Sequence, residues 1–221
     1  MLTKKRAYLK GEKKRTQFVS DGVVDETAYL KSKIKILFIL KEVNSEEGGW
    51  NLKKYLKEKN DRSQTWNNIT RWVIGTRKIQ DSSHWEKDGL DTIDTARRKE
   101  SLLSICAMNL KKSPGGHTTN ERYLITAAKN DREYINKQYS IYQPDLTICC
   151  KTIVNNLFHE LINFDKPIKW ETTSRGVDYH KLSEKKHVIS YTHPEARVQD
   201  NLLYYGLLDA IREIHGVFTP R

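Results

Sequence analysis

The sequence predicts an α/β protein, namely a three-layer α/β/α sandwich around a central, mostly parallel four-stranded sheet. Four short apolar runs, too short to span a membrane, are typical of buried strands. Stretches with apolar residues at helical spacing alternate with them, which favours parallel strands with helices on both faces. With 221 residues and no linker rich in Pro, Gly or Ser, the chain is predicted to form one domain over residues 1–221.

The four predicted strands end where the sequence turns abruptly polar. They cover residues 34–40, 104–110, 144–150 and 187–191. A further edge strand or hairpin is expected at 168–175. Because open α/β sheets bind ligands at the carboxyl ends of parallel strands, the polar loops there are predicted to form the functional site.

Helices are predicted from apolar periodicity and capping residues. They begin near residues 25, 51, 63, 92, 120, 151 and 199. Gly75 is expected to stop or bend the third of these. The helix capped by Thr119 or Asn120 is expected to run unbroken until just before Pro144.

The composition points to a polyanionic partner. The chain carries 39 Lys and Arg against 28 Asp and Glu, a net charge of +11, so nucleic acid is the leading candidate. About half of the excess lies in a basic arm, residues 1–15, which is either a phosphate-binding arm or a frayed, solvated terminus. Three cysteines fit neither a disulfide framework nor a paired metal motif and suggest a reducing cytosol. We expect a cytoplasmic monomer without cofactor, metal or membrane attachment.

Three of the strand-end loops carry complementary chemistry. Glu42 or Asn44 is suited to position a water molecule, Asn109 to read the edge of a heterocycle, and His193 to donate a hydrogen bond to a leaving oxygen. Each also has a plainer interpretation: a helix cap for Asn44, a strand-end hydrogen bond for Asn109 and a half-buried turn residue for His193. Their occurrence together, each at a strand end, favours the functional interpretation.

Other residues in these loops are candidates for contacts with a nucleic acid. Trp50 is either a stacking platform for a base or a hydrophobic plug over the first helix. The candidates for phosphate contact are Lys41, Lys111, Lys112, Ser113, Gly115, His117 and Arg197. The alternative to an anion-binding loop for the segment 111–117 is an ordinary Pro-Gly turn.

The motifs in which these residues lie resemble those of the uracil-DNA glycosylase superfamily, over roughly residues 34–214. The first motif is a strand with a water-positioning loop, ILFILKEVN. The second, CAMNLKKSPGGH, places Asn109 where the family has its base-reading Asn. The third, SYTHPEAR, places His193 where the family has the His that stabilises charge on the departing base.

The chain also departs from that pattern. Lys41 stands where the family usually has Gly, and Val43 where several branches have the catalytic Asp, Asn or Ala. The water-positioning role would then pass to Glu42 or Asn44. The usual Pro and the pocket-closing aromatic are missing, which suggests a base other than plain uracil. An iron–sulfur cluster is not expected, because it needs four cysteines.

The resemblance implies a monofunctional DNA glycosylase that flips out a modified or damaged base and hydrolyses its N-glycosidic bond. Hypermodified pyrimidines of phage DNA are among the bases that would fit, so repair and antiviral roles both stay open. The alternative is a non-catalytic nucleic-acid-binding module on the same fold. A third interpretation is a nucleotide hydrolase with Glu42, Glu46 and Glu47 around Mg²⁺.

Overall fold

The computed structural model of the protein describes residues 17–59, 63–79, 84–116, 120–165 and 167–216. The predicted basic arm, residues 1–15, lies outside these ranges, and so does His117. Within the described ranges no helix has both the length and the apolar content needed to cross a membrane.

One mixed sheet of seven strands organises the described residues, so the α/β class is confirmed and the predicted count of four strands is wrong. The strands are β1 Gly22–Val23, β2 Ile36–Leu40, β3 Ile105–Asn109, β4 Leu146–Cys150, β5 Trp170–Thr172, β6 Asp178–Ser183 and β7 Lys186–Tyr191. Their order across the sheet is β1-β3-β2-β4-β7-β6-β5. The four predicted strands are β2, β3, β4 and β7, and they form its parallel centre. Antiparallel strands extend it at both edges.

Eight α-helices connect and cover the strands in the described ranges. They are α1 Glu26–Lys31, α2 Leu52–Lys54, α3 Gln64–Arg77, α4 Thr95–Leu103, α5 Glu121–Asn130, α6 Arg132–Tyr142, α7 Thr152–Leu161 and α8 Asp200–Ile214. Helix α2 continues as a π-helical segment, Tyr55–Lys59. The side chains of Asp25, Asn51, Asp94 and Asn120 accept backbone hydrogen bonds in the first turns of α1, α2, α4 and α5, as capping residues do.

Two helix ends differ from the prediction. Helix α3 continues through Gly75 to Arg77, because this glycine serves helix packing: a Cβ there would overlap Leu208 and Tyr204 of α8. The predicted long helix is broken at Asp131, where the backbone takes φ −97° and ψ 11°, so that α5 ends and α6 begins at this residue. Asp131 is buried, and neither Pro nor Gly marks the break in the sequence.

Side chains that alternate along β2 enter two different buried clusters. Ile36, Phe38 and Leu40 belong to a cluster that includes residues of α3 and α8. Leu37 and Ile39 belong to a second cluster with residues of α5, α6 and α7. Because successive side chains of a strand point to opposite faces, the parallel centre of the sheet is buried on both of its faces.

Two pairs of histidines lie near strands β6 and β7. The half-buried His159 of α7 lies beside His180 of β6, and the buried His187 of β7 lies beside His215. Both ring nitrogens of His159 lack a hydrogen-bond partner among the described residues, and its ring contacts His180 and Trp170. The ring of His187 lies 5.1 Å from that of His215. Burial lowers the pKa of His159 and of His187 from the usual 6.5 to about 4, and the neighbouring histidine adds to each shift.

Acid is therefore expected to destabilise the protein in a defined pH window. In the unfolded chain these imidazoles take up a proton near pH 6.5, but the folded state resists protonation until about pH 4. The free energy of unfolding should be highest above the first value and fall as the pH drops towards the second. Urea denaturation across this range measures the slope.

A His159→Phe variant provides the control for this slope. Phenylalanine keeps the ring contacts with Phe164 and Trp170 but has no nitrogen to protonate. The variant should lose part of the acid dependence. An unchanged slope would show that another group causes the acid sensitivity.

Candidate active site

The loops that follow β2, β3 and β7 line one cleft at the carboxyl edge of the parallel strands. The cleft has a volume of about 800 Å³. Its walls include Glu42 and Asn44 after β2, Asn109 at the end of β3, and His193 after β7. The structure thus brings together all the residues predicted to act on a base, because their strands are parallel and lie close together in the sheet.

Asn109 is the most buried of these residues, with 2% of its surface exposed. Its backbone N–H donates to Oδ2 of Asp21 at 2.7 Å, which fixes the end of the strand. Its side-chain nitrogen is buried and has no hydrogen-bond partner in the described structure. Such an unpaired donor costs about 1–3 kcal/mol. A residue that lines the cleft thus has an unsatisfied polar atom within the described structure.

The surroundings of His193 favour a neutral ring and determine which of its nitrogens carries the proton. The backbone N–H of Glu195 donates to its Nδ1 at 3.1 Å, so the proton of the neutral ring lies on Nε2. Burial lowers the pKa of His193; Glu195 opposes this shift, and the charges of Lys41 and Lys151 add to it. At neutral pH the ring therefore offers an uncharged N–H.

The loop that carries His193 is anchored to helix α3. The Glu195 carboxylate accepts hydrogen bonds from the backbone N–H and the hydroxyl of Thr65 in the first turn of that helix. Nδ2 of Asn68 donates to the carbonyl of Pro194 at 2.7 Å and to Asp200 at 2.9 Å. These contacts, made across more than a hundred residues of sequence, limit how far the His193 ring can move.

Glu42 is held by the loop that follows β3. Its carboxylate pairs with the ammonium group of Lys111, and the two side chains are 6% and 14% exposed. Lys111 also donates to the carbonyls of Pro114, at 2.6 Å, and Ser113. Gly115 lies against the carboxylate, where a Cβ would overlap it. Lys111 and Gly115, which the sequence suggested as phosphate contacts, thus fix the orientation of Glu42.

The loops after β2 and β3 continue the pairing of their strands. The N–H of Lys111 donates to the carbonyl of Lys41 at 2.8 Å, and that of Gly115 to Val43 at 2.9 Å. Asn44 and Gly115 form an isolated parallel bridge. The two loops are therefore one connected wall of the cleft, on which Asn44 is exposed.

Trp50 both lines the cleft and packs on the core. Its indole N–H donates to the carbonyl of Glu47 at 2.9 Å. Its ring meets that of Tyr55 edge to face at 5.9 Å and contacts the cluster beneath β2. The ring is half-buried, so both interpretations of Trp50 fit its position.

The sequence did not predict the far side of the cleft, which helix α2, its π-helical continuation and helix α3 supply. These residues are Lys54, Tyr55, Glu58, Thr65 and Trp66. Their helical periodicity indicates packing on the sheet, and Trp66 is indeed buried. The periodicity does not show that the same helices form the rim of a cleft.

Lys112 lies inside the protein. Its ammonium group binds both carboxylate oxygens of Asp21, at 2.8 and 2.9 Å, and Oε1 of Gln138 at 2.7 Å. The Lys112 and Asp21 side chains are 3% and 0% exposed. Asp21 also holds the backbone of Asn109. Lys112 therefore supports the site from beneath and does not reach a surface where a phosphate could bind.

Replacement of Lys112 should consequently affect stability. Lys112→Met leaves a buried carboxylate without its partner, which typically costs about 3–5 kcal/mol. Urea denaturation should detect a loss of this size. Lys129→Met, which removes an exposed pair with Glu160, should cost less than about 1 kcal/mol. Equal stability of the two variants would contradict the structural role of Lys112.

The remaining residues predicted to contact phosphate lie in three different places. Lys41 lines the cleft, and its pKa is lowered by burial and by the charge of Lys151. Ser113 lines a second, smaller cleft. Arg197 is exposed in the loop after β7.

Comparison with known proteins gives no match, either among family models or among curated proteins. In the described part of the chain, no group of three or more His, Cys, Asp or Glu residues is placed to hold a metal ion. Glu46 and Glu47 are exposed and are not among the residues that line the cleft with Glu42. The chemistry of the cleft is therefore inferred from its own residues.

Proposed function

We propose that this protein is a monofunctional DNA glycosylase that takes a modified or damaged base into the cleft and hydrolyses its N-glycosidic bond. The observation that carries the proposal is that Asn109, whose buried amide nitrogen has no partner among the described residues, lines the same cleft as His193. A carbonyl oxygen of a base would pair with that nitrogen. The nearby ring N–H of His193 is suited to the negative charge that the base acquires as it leaves.

The base is inferred to be larger than a plain pyrimidine. A volume of about 800 Å³ lies in the upper part of the range for ligand sites. The lining includes the aromatic rings of Trp50 and Tyr55 and the charged side chains of Lys54 and Glu58. A base with a bulky polar substituent would contact both kinds of side chain. Hypermodified pyrimidines of phage DNA have this character, and an antiviral role would follow if one of them is the substrate.

The hydrolysis also needs a positioned water molecule. Both Glu42 and Asn44 line the cleft, and Glu42 is our choice because its carboxylate is fixed by Lys111, whereas Asn44 is exposed. A fixed carboxylate can accept a hydrogen bond from the water and orient it towards the sugar. His193 would stabilise the departing base on the other side of the bond.

DNA binding is proposed from charge. The net charge of +11 favours a polyanion, and phosphate contacts must offset the few kcal/mol needed to unstack a base. Lys41 in the cleft and the exposed Arg197 are candidates for such contacts. Lys112 is left out because it is buried.

The three-layer arrangement belongs to this proposal. Helices contribute to both buried clusters, the one that the side chains of Ile36, Phe38 and Leu40 enter and the one that Leu37 and Ile39 enter. An α/β/α sandwich accounts for that distribution. Such a sandwich would leave the carboxyl edge of the strands open to DNA. The single domain, the monomeric state and the cytoplasmic location stay predictions.

A panel of DNA duplexes and single strands tests the function. The strands carry uracil, oxidised, alkylated or glucosylated bases and are treated with alkali after incubation, which cuts them at abasic sites. We expect cleavage of at least one modified DNA. Tight binding without cleavage of any of them would favour the non-catalytic module, for which the engagement of Glu42 by Lys111 is the supporting observation.

A further inference from the structure

A second cleft adjoins the first and contains none of the residues assigned above to reading the base. Its volume is about 430 Å³. The two clefts share Glu42 and Gly116 and are otherwise lined by different residues. Glu42, in its pair with Lys111, therefore stands between two neighbouring binding spaces.

The outer wall of the second cleft is one face of helix α5. Tyr123, Thr126, Ala127 and Asn130 line it, at a spacing that places them on the same side of the helix. Ala127 is small and leaves room between the others. The wall thus combines an aromatic ring with a hydroxyl and an amide, which suits a flat ring with polar edges.

Tyr123 is unusually exposed for an aromatic residue. Its exposed fraction is 71%, the highest among the exposed large hydrophobic residues of the described structure. Its ring therefore contributes little to the core. An aromatic ring on the wall of a cleft, beside a cleft suited to a base, is a stacking platform in position for a second base.

We propose that the second cleft binds the nucleotide next to the target nucleotide on the same DNA strand, with its base stacked on Tyr123. This rests on the proposed function, because it takes the first cleft as the site of the target base. The two clefts meet at Glu42 and Gly116, which suits consecutive residues of one strand. Thr126 and Asn130 would contact the edge of the stacked base, so the protein would respond to the base beside its target.

Fluorescence of 2-aminopurine tests the proposal. The fluorescent base is placed on one side of the modified base and then on the other, and the DNA is bound to the intact protein. Stacking on Tyr123 should quench the fluorescence for one of the two placements. Tyr123→Ala should abolish this quenching and weaken binding on the order of 10-fold, whereas Tyr123→Trp should retain both.

A strand with an abasic analogue at the neighbouring position separates base stacking from other effects. On this strand, wild type and Tyr123→Ala should bind equally, because the group that would stack has been removed. Tyr134→Ala is the matched control, since Tyr134 lies on α6 and lines neither cleft. It should behave as wild type on every strand.

The outcomes distinguish the two proposals. Suppose that wild type releases a base, but that Tyr123→Ala and Tyr134→Ala quench the fluorescence equally and bind the DNA equally. Then the second cleft is not a nucleotide site and the glycosylase function stands. If no base is ever released but Tyr123→Ala still abolishes quenching, the glycosylase function fails and the neighbouring-nucleotide site stands. Absence of quenching by wild type at both placements overturns the second proposal.

Discussion

Replacement of Asn109 by leucine is expected to leave the fold at least as stable as wild type and to abolish base recognition. The amide nitrogen of Asn109 is buried and has no partner among the described residues, so an apolar side chain of similar size removes a cost of about 1–3 kcal/mol. The same change removes the donor for the base. Base release should fall on the order of 10²-fold or more, because a site built to hydrogen-bond its substrate loses strongly without that bond. Thermal denaturation and single-turnover release measure the two effects.

Asn155→Leu is the matched control for Asn109→Leu. Asn155 lies on α7 and is also buried, and its side-chain oxygen has no partner in the described part of the chain, but it does not line the cleft. This variant should gain stability for the same reason and keep full activity. If Asn109→Leu unfolds the protein or retains wild-type release, the role of Asn109 in the site is wrong.

His193→Ala is expected to slow base release by about 10²–10³-fold, the typical loss when one preorganised donor to a developing negative charge is removed. Affinity for the DNA should change little, because the hydrogen bond strengthens mainly in the transition state. His193→Gln, which keeps an N–H donor, should recover part of the rate. Single-turnover release and equilibrium binding, measured on the same DNA, separate the two quantities.

His84→Ala is the control for this variant. His84 is exposed and lies outside the cleft, so its removal should alter neither rate nor affinity. Equal rates for His193→Ala and His84→Ala would exclude His193 from the chemistry. A matched loss of affinity and rate in His193→Ala would instead indicate ground-state binding.

The parallel centre of the sheet could be predicted because its strands are continuous apolar runs. At the edges, the strand or hairpin expected at 168–175 is confirmed by β5, whereas β1 and β6 were not predicted. Strand β1 has only two residues, and the three residues of β5 are all exposed. Such short or polar strands depend on the neighbour they pair with. For β1 this neighbour is distant in the sequence, since Gly22 pairs with Ala107, whereas β5 pairs with the nearby β6.

The candidate site, too, could be predicted only in part from the sequence. Asn109 and His193 could be placed in it because both follow buried strands, and the ends of parallel strands meet at one edge of the sheet. The roles of Lys111 and Lys112 could not be told apart, since the two lysines are adjacent. Their partners, Glu42 and Asp21, are 69 and 91 residues away. Only the fold shows that one lysine orients a cleft carboxylate and the other is buried beneath Asn109.

Mass spectrometry of the reaction products tests the central claim most directly. The protein is incubated with whichever DNA of the panel it binds most tightly. The masses of the released small molecules and of the DNA strand are then determined separately. We predict a free, intact base and an unbroken strand that carries an abasic sugar, with no change when a chelator is added. A shortened strand without free base, or no released base from any DNA of the panel, would contradict the account.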